Sequence, residues 1–249
     1  MIAAATLLTG ACGEPAAQPP AAKADAAPAA APVTLRAADG VTVHGLHYPN
    51  PRARAVVLLF HQAGSGKGEY ASIAPRLVDA GYEALAIDQR SGGGLFGRNE
   101  TAAALGRDAS YLDAERDLEA AVAWATGRKL PIILWGSSYS AALVFRVAAR
   151  HPETKAVLAF SPGEYLGEPG LVRDAVARVA APVFVTSAAD PAEIAAAKTL
   201  LAAARSAVRV QHVPAQGGVH GSSTLIPDKN PRGAADNWRA VLAFLAANG

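Results

Sequence analysis

The chain has 249 residues, 51% of them hydrophobic and 18% charged, which supplies one sheet-centred α/β core and excludes general disorder. Its 23 Lys+Arg against 21 Asp+Glu leave a formal net charge of +2, without the basic footprint of a nucleic-acid binder. A single cysteine excludes an intramolecular disulfide framework and a Cys-based zinc cage, and no run of 18 apolar residues offers a membrane span.

The chain opens with Met1–Cys12, MIAAATLLTGAC, an apolar stretch ending in the only cysteine. The Pro/Ala tract that follows, GEPAAQPPAAKADAAPAAAPV, has no apolar periodicity and reads as an extended spacer. This arrangement resembles a bacterial lipoprotein signal. The resemblance implies cleavage before Cys12, a lipid on Cys12, and an extracytoplasmic protein tethered to a membrane. The alternative is an Ala-rich N-terminus with an incidental cysteine. In either case residues 1–32 are set apart from a folded domain over 33–249.

From Val33 onward, strand-like and helix-like runs alternate. VTLRA (33–37) and VTVHGLHY (41–48) flank Asp39-Gly40, a hairpin signal. AVVLLF (55–60) is the continuous apolar run of a strand buried on both faces. A helix is expected near 69–80, a strand at 83–87, and then a Gly-rich loop from Gln89 to Ser110. A helix at 111–125, a strand at 132–135, a helix at 141–150 and a strand at 156–160 follow. The chain closes with a short helix at 171–179, a strand at 183–186, a helix at 192–207, a strand at 208–213 and a helix at 234–247. This order predicts a mostly parallel sheet of about eight strands with helices on both faces and an antiparallel hairpin at its start. Chemistry on such a sheet belongs in loops at the carboxyl ends of its strands.

Two of those loops imitate nucleotide sites. HQAGSGKGEY, after Phe60, lacks the first Gly of a P-loop, and Gly68 stands where Ser or Thr would meet Mg²⁺. Gly92, Gly94 and Gly97 are spaced as G-x-G-x-x-G, but no helix opens at them to receive a pyrophosphate. Neither is expected to bind a nucleotide, and no cofactor or metal is implied.

The stretch PIILWGSSYSAALVF sets Gly136-Ser137-Ser138-Tyr139-Ser140 between a buried strand and an apolar helix. That is the strand–turn–helix context of G-x-S-x-G, with Ser140 in place of the second Gly. A tight turn there presents the Ser138 hydroxyl clear of the sheet; the plainer reading is a serine helix cap. A serine nucleophile needs a base, and the base needs an orienting acid. Of six histidines, His44 and His47 lie in the hairpin, His151 ends a helix, His212 sits in a strand and His61 ends another. His220 lies in AQGGVHGSS, a Gly-rich loop after the last strand, free to reach the carboxyl edge. VFVTSAADPAE presents Asp190 between a strand and a helix. The candidates are Ser138, Asp190 and His220, in the Ser…acid…His chain order.

With these residues in place the chain resembles the α/β-hydrolase superfamily over essentially all of 33–249. FHQAG (60–64) looks like the H-G-x-G loop, IDQRSGG (87–93) like the D-x-R-G-x-G turn, and GSSYS like the nucleophile elbow. The resemblance implies backbone oxyanion donors at Tyr139 and at Ala63, with Gln62 as the neighbouring alternative. Gln62, Ser91 and Ser140 depart from the usual glycines. Only SPGEYLGEPG separates Phe160 from Leu171, where capped relatives insert a lid. The body therefore resembles the dienelactone-hydrolase-like group, which has no large cap domain, with Ser in place of that group's Cys. The implied activity is a serine hydrolase that cleaves a small carboxylic ester through a Ser138 acyl-enzyme. Alternatives on the same fold are a short-peptide serine peptidase and a non-catalytic lipoprotein binding module. The loop 89–110, with Leu95, Phe96 and Arg98, is the expected cover of a shallow site.

Overall fold

The computed structural model describes Met1, Ile2 and residues 29–249, so Cys12 and most of the Pro/Ala tract lie outside the described residues. Eight strands form one sheet: β1 (Ala31–Arg36), β2 (Thr42–Tyr48), β3 (Val56–Phe60), β4 (Glu83–Ile87), β5 (Ile132–Ser137), β6 (Ala156–Phe160), β7 (Val183–Thr186) and β8 (Arg209–His212). Their order is β1-β2-β4-β3-β5-β6-β7-β8. β2 runs antiparallel to β1 and β4, and every later pairing is parallel. β3, β4, β5 and β6 are buried at every position, which is why they read as unbroken apolar runs.

Among the described residues seven α-helices cover the sheet: α1 (Ile73–Asp79), α2 (Glu100–Leu105), α3 (Glu115–Thr126), α4 (Tyr139–Ala148), α5 (Leu171–Val176), α6 (Pro191–Ala203) and α7 (Ala234–Asn248). The pleat divides each strand between two cores. Val56, Leu58, Phe60 and Leu134 pack with Leu118, Leu143, Val172 and Leu200 of α3 to α6. Val57, Leu59, Ile133 and Trp135 pack with Ile73, Leu77, Trp238 and Val241 of α1 and α7. The period of two along a strand thus becomes two layers of helix on opposite faces.

Three expectations change. The segment 69–80 is split into a 3₁₀ turn at Lys67–Tyr70 and α1, because Pro75 is tolerated only in the first turn of a helix. The Gly-rich loop contains α2, whose Asn99 side chain accepts the Ala102 N–H at 2.8 Å. The fold begins at residue 31 and not 33: Ala31 and Pro32 pair with His47 and Leu46, and Pro is tolerated there because β1 is an edge strand. Ser161–Gly170 joins β6 to α5 with no inserted domain. Among the described residues no helix is long and apolar enough to cross a membrane.

Candidate active site

The end of β5 turns into α4 at Ser138, whose backbone is held at φ +59° and ψ −120°. A side chain with a Cβ rarely adopts positive φ, and such strain persists only where neighbours over-determine it. Two neighbours do so here. A Cβ on Gly136 would lie 2.4 Å from the Ser140 carbonyl and 2.6 Å from Ala141 backbone atoms, so only glycine allows the turn to close. The Ser140 hydroxyl donates to the Phe60 carbonyl at 2.6 Å and accepts the Ser137 N–H at 2.9 Å. Ser140 therefore fastens the turn to β3, a bond that glycine could not make.

His220 reaches Ser138 from the loop after β8, with Nε2 2.7 Å from the Ser138 hydroxyl. Its Nδ1 lies 2.8 Å from Oε1 of Glu193. A carboxylate only accepts, so Nδ1 carries the proton and Nε2 receives the Ser138 hydroxyl. The expected acid, Asp190, does not take this place. Its Oδ1 accepts the N–H groups of Ala192 and Glu193 at 2.9 and 3.1 Å, capping the exposed start of α6. A short carboxylate satisfying the first helical turn is held to its own backbone. The longer Glu193, one turn inside, reaches His220. Burial works to raise the Glu193 carboxyl, but His220, the Ser161 hydroxyl and the Ala188 N–H outweigh it, so its pKa falls below the ordinary value. The sequence signal was D-P-A-E: both acids lie at the start of α6, and the capping preference of Asp points to Glu as the free one.

At the end of β3, Gln62 and Ala63 take different roles. The Gln62 N–H donates to Oε2 of Glu69 at 2.9 Å. The Gln62 carbonyl accepts from His61 Nδ1 at 2.8 Å and from the Ser65 N–H at 3.3 Å. A trans peptide sets C=O and N–H in opposite directions, so pinning that carbonyl aims the Ala63 N–H the other way. No acceptor among the described residues takes it. The Tyr139 N–H, first in α4, likewise has no partner within its helix.

His61 is fully buried and neutral, with its pKa driven down to about 4, chiefly by burial. Its Nε2 accepts the Gln89 N–H at 2.9 Å, while the Gln89 side chain accepts the His61 N–H and donates to the Tyr139 hydroxyl at 2.8 Å. Gln89 thus joins the 61–64 loop to the start of α4. The next residue, Arg90, is clasped by Asp117 of α3 and Asp39 of the hairpin.

The 89–110 loop borders this region. The Gly93 and Leu95 N–H groups donate to the Ser65 and Gly64 carbonyls at 2.8 and 3.0 Å, and Tyr111 stacks on Tyr139 at 4.2 Å between ring centroids. Arg98 is exposed. Among the described residues no group of three His, Cys, Asp or Glu side chains is placed to hold a metal.

Comparison with known proteins agrees with this architecture. The model of the serine aminopeptidase S33 family matches residues 51–216. No curated protein matches the chain at a significant level. Among solved structures, a dienelactone hydrolase from Anabaena variabilis superposes with a TM-score of 0.70 at 20% identity, covering 90% of this chain and 99% of its own. The esterase Pf2001 of Pyrococcus furiosus does so with a TM-score of 0.69 at 18% identity, covering 88% and 93%. A cold-adapted esterase from an Arctic intertidal metagenomic library gives 0.63 at 20% identity, covering 87% and 93%. A sheet of this order, a serine at a positive-φ turn and a family match over two-thirds of the chain lead to one conclusion: this chain belongs to the serine aminopeptidase S33 family, within the α/β-hydrolase superfamily.

Proposed function

We propose that the protein is a serine hydrolase of small carboxylic esters, with Ser138 as nucleophile, His220 as base and Glu193 as orienting acid. The observation that carries this reading is the continuous hydrogen-bond chain from Ser138 through His220 to Glu193, at 2.7 and 2.8 Å. Ser138 Oγ attacks the acyl carbon as its proton passes to Nε2 of His220. The charge on the carbonyl oxygen is taken up by the N–H groups of Tyr139 and Ala63, each such donor contributing on the order of 10²–10³ in rate. His220 then returns the proton to the leaving oxygen. Water, activated by the same imidazole, releases the acid from Ser138.

Ester chemistry is favoured by the esterases among the structural relatives. A small substrate is favoured by the short Ser161–Gly170 connection, which brings no cap over the site. The test is labelling by a fluorophosphonate, followed by kcat/KM on a panel of acyl esters, lactones and peptide amides. Labelling that disappears in Ser138→Ala, with turnover confined to short esters, supports the reading. Faster cleavage of amides makes the protein a peptidase, and absence of labelling makes it a binding module. Along a p-nitrophenyl ester series, each added CH₂ gains ~0.8 kcal/mol only until the pocket is full, so the rise should stop before about ten carbons.

The proposed location is the extracytoplasmic face of a bacterial membrane, through lipid on Cys12. Several acyl chains hold stably where one does not. Metabolic labelling with a fatty acid should mark the full chain and not Cys12→Ala; an unlabelled chain in the soluble fraction refutes the anchor.

A further inference from the structure

Glu69, in the 3₁₀ turn after β3, is a carboxyl group with 1% exposure that the triad does not use. Burying a carboxylate is costly unless its oxygens are satisfied, and each oxygen of Glu69 is engaged by a segment of the site. Oε2 accepts the Gln62 N–H at 2.9 Å, and Oε1 accepts the Ser137 hydroxyl at 2.7 Å. The Ser137 oxygen in turn accepts the Ser222 N–H at 2.9 Å. One side chain therefore ties together the loop carrying Ala63, the residue before Ser138 and the residue two beyond His220. The third of these segments is packed closely, since a Cβ on Gly221 would lie 2.5 Å from the Ser137 hydroxyl.

We propose that Glu69, as a carboxylate, is a positioning residue that sets the Ala63 donor, Ser138 and His220 in register for the reaction. The proposal rests on the serine-hydrolase reading and adds a residue that touches no reacting atom. With one donor aimed at each oxygen, the hydrogen bonds as they run suit the ionised form. Ser222 N–H gives to Ser137, Ser137 gives to Oε1, and Gln62 N–H gives to Oε2. A proton on Oε1 aimed at Ser137 would reverse that bond and take from the Ser137 hydrogen its present acceptor. A proton on Oε2 would weaken that oxygen as the acceptor of the Gln62 N–H. The first event loosens the link to Ser137 and Ser222 and the second the link to the 62–63 segment, and misplacement by about 1 Å costs on the order of 10²-fold in rate.

The titratable groups that act on Glu69 are Tyr70 on its own turn, Tyr139 of α4 and His220. Lys67 is paired with Asp88 at 2.7 Å, and Tyr70 donates to the Phe60 carbonyl at 2.5 Å. Burial raises the Glu69 carboxyl to about 7 against the hydrogen bonds from Gln62, Ser137 and Ser65 and the attraction of His220. The change between its two forms therefore falls within the working range of a hydrolase.

The test compares wild type with Glu69→Gln and Ser137→Ala in fluorophosphonate labelling rate, in kcat and KM for p-nitrophenyl butyrate from pH 5.5 to 9, and in Tm. Glu69→Gln keeps the shape of the side chain but sets an amide against an N–H or a filled hydroxyl. It should lower kcat about 10²-fold, leave KM within about threefold, and remove one proton's dependence from the acid limb of the pH profile. Ser137→Ala, which removes the middle link with little change of volume, should lower kcat about tenfold in a protein that still melts cooperatively. Wild-type kcat and an unchanged acid limb in Glu69→Gln would overturn the proposal. So would losses in both variants that only track the folded fraction. A wild type that does not react with the fluorophosphonate sinks the serine-hydrolase reading and this one together. A reactive wild type with an unaffected Glu69→Gln sinks this one alone.

Discussion

At the scale of single residues, two carboxylates three positions apart divide the work of α6. Asp190 holds the first turn and Glu193 holds His220, so substitutions should separate stability from turnover. Asp190→Ala removes a helix cap and should cost about 1 kcal/mol in a urea melt while leaving kcat close to wild type. Glu193→Gln keeps the helix but no longer fixes the proton on Nδ1, and ester turnover should fall about 10³–10⁴-fold. Ser138→Ala and His220→Ala should each cost on the order of 10⁴-fold or more. If Asp190→Ala proves the more damaging of the two acids in kcat, the assignment of Glu193 is wrong.

Individual elements are joined by charges placed between them. Arg90, with 3% exposure, leaves β4 and pairs with Asp117 of α3 at 2.7 Å and with Asp39 of the β1–β2 hairpin. Removing Asp117 takes away the buried partner and leaves Arg90 only the more exposed Asp39, so Asp117→Ala should cost about 3 kcal/mol in equilibrium unfolding. Asp39 shows the same linkage through pH. The Arg90 guanidinium lowers its carboxyl from 3.8 to about 2. The stability it contributes is thus complete above its ordinary value and is lost as pH falls from about 4 towards 2. The turn between β5 and α4 depends instead on the absence of a side chain. Gly136→Ala drives a methyl into Ser140 and Ala141 and should cost about 3 kcal/mol while depressing labelling of Ser138.

Across the whole molecule, Glu69 sets stability against activity. Its folded-state pKa, about 7, lies above the ordinary value of 4.5, so the folded state keeps a proton that the unfolded chain releases. The fold is favoured below about 4.5 and loses that contribution as pH rises through about 7, while the proposed active form is the one present above it. Denaturant melts at pH 5 and pH 8 should show a decline in the wild type that is absent in Glu69→Gln; equal declines would place the pH dependence elsewhere. Deletion of residues 1–28 should leave turnover intact, because β1 starts at Ala31 and the site residues lie between Gln62 and Ser222.

The sequence by itself determined most of the elements and singled out Ser138 and His220, which the structure brings within hydrogen-bond distance. β4, β6 and β7 lie where alternation and apolar runs placed them, because strands buried on both faces have little freedom in composition. Ser138 and His220 were legible because a serine at a strand–helix turn and a histidine in a Gly-rich loop are local patterns. From sequence the acid beside His220 reads as Asp190, because Asp190 and Glu193 lie three residues apart; the capping preference of Asp distinguishes them weakly, and the reach of Glu193 to His220 decides between them. The helix at Glu100–Leu105 was hidden by the glycines before it, although Asn99 marks its start. Glu69 carried no local signal at all. Its partners lie at positions 62, 137 and, through Ser137, 222, and three segments so far apart in the chain meet only once the sheet has brought the ends of β3 and β5 together. Local pattern fixes where a turn or a strand can form, but hydrogen-bond direction between distant loops is decided only by tertiary packing.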